Sequence, residues 1–68
     1  MNRIPRNFKS ITATALCGNC EGHTFRITKN IYDGYHAEDI HTGKIWRTFI
    51  SHLRNENFYR IDHIEKGE

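Results

Sequence analysis

Two cysteines, Cys17 and Cys20, flank Gly18-Asn19. At that spacing two thiolates can grip one Zn²⁺ from a knuckle-shaped turn. A structural zinc takes four ligands. With no further Cys in the chain, the others would come from His23, His36, His41, His52 or His63. The best-spaced set, Cys17, Cys20, His36 and His41, reads Cys-x2-Cys-x15-His-x4-His. Its central gap exceeds the roughly twelve residues of a zinc finger, and its histidines fall in a segment patterned as strand where a finger uses a helix. The reading is therefore two reduced, partly buried thiols and no cofactor, with zinc at Cys17 and Cys20 as the alternative. A redox Cys-x2-Cys would open a helix within a βαβ unit, and no such helix is predicted.

The remaining chemistry-bearing residues are scattered. Ser10 and Ser51 lie in no nucleophile elbow, and no Gly-rich phosphate loop is present. Asp62 adjoins His63 and Asp39 lies near His41, but adjacent residues of a strand point to opposite faces, so these read as surface neighbours and not acid–base pairs. The expectation is a non-enzyme without a small-molecule substrate. Basic and aromatic residues do interleave, at Lys44, Trp46 and Arg47 and again at Tyr59 and Arg60, with Arg26 and Lys29 adjacent across a sheet. Aromatic faces stack bases while Arg and Lys hold phosphate, so these seven are the candidate binding residues. In so small a protein large aromatics are often the core, so the competing and favoured reading places Trp46 and Tyr59 inside.

Alternation dominates the segments that must position these groups. Ser10 to Cys17 sets Ile11, Ala13, Ala15 and Cys17 against Thr12, Thr14 and Leu16, and His23 to Ile31 sets Phe25, Ile27 and Ile31 against Thr24, Arg26 and Thr28. Gly18 to Gly22 is the turn between them. Asp33-Gly34 and Thr42-Gly43 are turn dipeptides bracketing a third strand, Tyr35 to His41. Lys44 to Ile50 fits either a helical stripe or a strand; its Ile, Trp, Thr and Phe favour a pleated surface, so strand is chosen, followed by a short helical turn near Ser51 to Glu56. Phe58 to Ile64 is the last strand. Five strands with short links predict an antiparallel meander curled into a small barrel of the SH3-like, Sm-like or OB type.

With 68 residues, one small domain over 1–68 is expected, without an inter-domain cleft. The formal charge of +2 does not by itself require nucleic acid. Arg3, Arg6 and Lys9 make residues 1–9 a basic N-terminal arm, read as a flexible solvated tail. One Trp, three Tyr and four Phe argue for a folded chain. No apolar run reaches the roughly 20 residues that span a bilayer, and no signal-peptide pattern follows the N-terminal charges, so a cytoplasmic, non-membrane protein is expected.

Four segments together resemble the Rof-type Rho-binding antiterminators: Cys20-Glu21-Gly22-His23-Thr24-Phe25-Arg26-Ile27-Thr28, then Asp33-Gly34, then Ala37-Glu38-Asp39-Ile40, and finally Tyr59-Arg60-Ile61-Asp62-His63-Ile64. The order and rough spacing cover residues 20–64. Gly43 to Leu53, with Trp46-Arg47-Thr48-Phe49, is also similar to part of the WYL regulatory domain. Both resemblances imply an Sm-like barrel. The Rof resemblance further implies a small regulator that binds the terminator Rho and blocks its RNA-binding surface. Members of that family are acidic, whereas this chain is slightly basic. Asp39 and Asp62 match acidic positions of the pattern, and no Rho-contacting residue is carried over. A nucleic-acid-binding module with Arg26, Trp46, Arg47 and Arg60 on its contact face is the alternative, and a zinc-stabilised module a third.

Overall fold

A computed structural model of the chain describes residues 2–5, 7–29 and 34–67. Five strands and one short helix follow in the order β1 (Phe8–Ala15), β2 (Thr24–Lys29), β3 (Tyr35–Asp39), β4 (Ile45–Thr48), α1 (Ile50–Arg54) and β5 (Tyr59–Lys66). All pairings are antiparallel, in one sheet of order β4-β3-β2-β1-β5. The fold is thus mainly β, as the alternation predicts.

Register explains which side chains are inside. Ile11 stands opposite Ile27, Ala13 opposite Phe25, and Ile27 opposite Ala37. Directly opposed residues share a face, so each pairing adds to one apolar surface. Phe8, Ile11, Ala13, Ala15, Phe25, Ile27, Ala37 and Leu53 form the buried core.

The sheet does not close into the expected barrel. β4 and β5 are its two edges. β4 has only four residues, and after Thr48 the chain leaves the sheet for α1, which joins the two edges. Fully buried Leu53 of this helix covers the core. A helix of one turn is unstable alone, and this one has no side-chain cap at its N-terminus. Asn2 completes its other end: its backbone N–H donates to Arg54 O at 2.9 Å and its Nδ2 donates to Leu53 O at 3.0 Å. Those are carbonyls that a helix terminus leaves unsatisfied. The same Nδ2 also donates to Tyr59 O at 2.8 Å. Among the described residues of the 1–9 arm, Asn2 is thus tied to the end of α1 and to Tyr59, and β1 begins at Phe8.

The other element bounds shift modestly. β1 stops at Ala15, leaving Cys17 exposed in the turn. β3 stops at Asp39, because Asp39 O accepts from Gly43 N and Asp39 Oδ1 accepts from His41 N, folding the chain back. Gly34, at φ +77°, supplies the left-handed conformation that its turn demands; Asp33 and Ile31 lie outside the described residues. None of the described helices is long and apolar enough to cross a membrane.

Candidate functional site

Among the described residues, two arrangements gather chemistry-bearing side chains. The first is a groove at the β1–β2 turn end of the core face. Ala37 pairs with Trp46, which places Trp46 on the same face as the core. At the sheet edge nothing fully covers it, and it stays 49% exposed. Across from it, Tyr59 packs edge-on against Phe25, with ring centroids 6.4 Å apart, and His52 of α1 packs edge-on against Phe58 at 5.5 Å. Trp46, Tyr59, Phe58, His52, Phe25 and Cys20 border a groove of about 340 Å³, with Ala15, Cys17 and Asn19 completing the wall. Residues from β4, α1, β5 and the first turn thus meet around one mainly apolar depression.

The seven candidate binding residues do not share a face. Trp46 and Tyr59 lie on the core side. Lys29 lies there too but at the opposite end, its Nζ 5.3 Å from the centroid of the Phe8 ring. Arg26 and Arg60 fall on the outer face: Arg26 pairs with Thr12 and Glu38, and Arg60 pairs with Thr14. Arg60 Nε donates to Asp62 Oδ1 at 2.9 Å, and Thr14 Oγ1 donates to Asp62 Oδ2 at 2.6 Å. The Thr14 hydrogen bond foremost, then Arg60, hold the Asp62 carboxyl below its ordinary range despite some burial. Arg47 stands opposite His36, with its guanidinium 5.9 Å from the Phe49 ring centroid. Lys44 is exposed in the β3–β4 turn, where its carbonyl accepts from Asp39 N at 2.8 Å and its N–H donates to Thr42 Oγ1 at 3.3 Å.

The second arrangement went unread in the sequence. Asp39 is 2% exposed at a core-facing position opposite Phe25. Its Oδ2 lies 2.8 Å from His23 Nδ1. This hydrogen bond from His23 holds the Asp39 carboxyl below its usual range against the opposing effect of burial. Cys20 joins them: one donor atom each from Cys20, His23 and Asp39 lie within 4.8 Å of one another. The ring of His41 meets His23 edge-on at 5.7 Å. Of the set proposed from spacing, only Cys20 belongs to this cluster; Cys17 is exposed on the turn and His36 sits on the outer face opposite Thr28. The readable signal was Asp39 itself, a carboxylate in phase with Ala37 on an otherwise apolar strand face.

Compared with protein-family models, curated proteins and solved structures, the chain matches none.

Proposed function

We propose that this chain is a non-enzymatic cytoplasmic binding module that recognises a protein partner through the aromatic groove beside Trp46. The observation that carries this reading is the 49% exposure of Trp46 at the edge of a face whose central residues are buried. Leaving a large indole in water forgoes burial that a small domain needs, so a partner that covers it gains that free energy. Binding energy at protein interfaces concentrates on Trp, Tyr and Arg anchors seated in such depressions. Phe58, also partly exposed at 38%, extends the apolar lining.

The Rof-like order of short elements makes Rho, or another transcription component, the partner to test first, and antitermination the expected activity. Pull-down of purified Rho together with a termination assay tests this: binding and raised read-through support it, and neither effect would count against it. Nucleic acid fits less well, because base-stacking rings and phosphate-holding arginines would have to act from opposite faces. Two of those arginines also stand beside acids, Arg26 opposite Glu38 and Arg60 on Asp62. Affinity for single-stranded RNA that falls steeply with salt would favour that alternative instead.

A further inference from the structure

Cys20, His23 and Asp39 offer one sulfur, one nitrogen and one oxygen donor, all within 4.8 Å of one another. The first two come from the β1–β2 turn and the third from β3, so nothing but folding brings them together. The turn is held by His23 N donating to Cys20 O at 2.9 Å and Gly22 N donating to Ala15 O at 2.8 Å. Asp39 is fixed by its own ladder and by the His41 N–H on Oδ1. We propose that these three residues bind one divalent cation of the zinc class, with the fourth position open to solvent.

The donor set selects the metal. Mg²⁺ and Ca²⁺ take oxygen ligands, whereas a thiolate with an imidazole suits Zn²⁺ and Co²⁺. Bonds of about 2.0–2.3 Å put the donors of a tetrahedral site roughly 3.3–3.7 Å apart, so on loading the 2.8 Å His23–Asp39 hydrogen bond opens to admit the ion and the widest pairs close by on the order of 1 Å. Cys20 can supply that closure, because it sits on a turn between Gly18 and Gly22, both at positive φ. Cys20 and His23 are half-buried, which gives the ion an entry path, while Asp39 closes the inner side. Loading releases the Cys20 proton to solvent. Cys17 is not one of the three ligands.

The test uses the full chain, untagged, reduced and stripped of metal, titrated with Co²⁺ and then with Zn²⁺. A thiolate-to-cobalt charge-transfer band that saturates at one ion per chain, and that Zn²⁺ abolishes, is the expected result. Cys20→Ser should lose the band and Cys17→Ser should keep it. His23→Gln and Asp39→Asn should each weaken cobalt binding at least tenfold. Should Asp39→Asn lose the fold by circular dichroism, His23→Gln, whose side chain is 41% exposed, still decides the matter. No band in the wild type, a band lost in Cys17→Ser but kept in Cys20→Ser, or wild-type affinity in His23→Gln would overturn the proposal.

Discussion

His23 Nδ1 and Asp39 Oδ2 lie 2.8 Å apart and link the β1–β2 turn to the end of β3. This bond adds a side-chain tie to the last β2–β3 pairing, Phe25 with Asp39, at the end of the sheet where the aromatic groove opens. Asp39 holds its own turn with its other oxygen, so one buried carboxylate organises both turns. Asp39→Ala should therefore lower the urea midpoint and broaden the amide signals of residues 17–23 and 40–44 together. A loss confined to one of the two turns would show that they are not coupled.

Leu53 has no exposed surface and is the only fully buried residue that α1 supplies. Leu53→Ala should cost about 2–5 kcal/mol. In a domain of this size that is much of the total stability, so the variant should be partly unfolded at 25 °C by circular dichroism. A near-native urea midpoint would mean that α1 is dispensable to the core.

Gly34 and Gly43 both have positive φ, yet they differ in surroundings. A Cβ on Gly34 would meet Thr48 O at 3.0 Å, whereas one on Gly43 meets nothing within 4 Å. Gly43→Ala should cost about 1 kcal/mol from backbone strain alone, and Gly34→Ala visibly more. Urea denaturation of the pair checks the ranking.

Asp62 gives the fold a specific acid sensitivity. Its carboxyl is held below the ordinary value of 3.8, so the folded state binds its proton less readily than the unfolded chain. The stabilisation is fully present above that ordinary value and is lost as pH falls through the depressed one. The group is partly exposed, so the contribution should not exceed about 1 kcal/mol. Asp62→Asn should lower the urea midpoint near neutral pH, and the gap to wild type should close as the solution is acidified below the carboxylate range. A gap that persists unchanged in acid would assign the effect to packing.

Much of this fold is legible in the residues. Ile11, Ala13 and Ala15 against Thr12 and Thr14 state both the strand and its buried face, and Phe25 and Ile27 do the same for β2. What could not be read depends on contacts distant in sequence. The short helical turn expected near Ser51 to Glu56 is present as α1, one residue earlier at Ile50, but its support by Leu53 burial and by Asn2, which lies 51 residues from Leu53, leaves no local trace. Barrel closure fails for a related reason, since β4 ends after four residues and the chain turns away into that helix. The basic and aromatic residues were adjacent in sequence, but strand alternation itself sends Trp46 and Arg47 to opposite faces. Cys20 and His23 were visible as metal-ligand types, whereas their partner Asp39 is brought in by the β2–β3 register.

The most direct measurement is titration of purified Rho with the wild-type chain, Trp46→Ala, and the double variant Arg26→Ala/Arg60→Ala. If the groove is the recognition surface, Trp46→Ala should lose about 2 kcal/mol or more of binding, over tenfold in affinity, while keeping its circular dichroism spectrum; the arginine variant should bind nearly as wild type. A folded Trp46→Ala that binds as tightly as wild type, with the loss confined to the arginine variant, would contradict it.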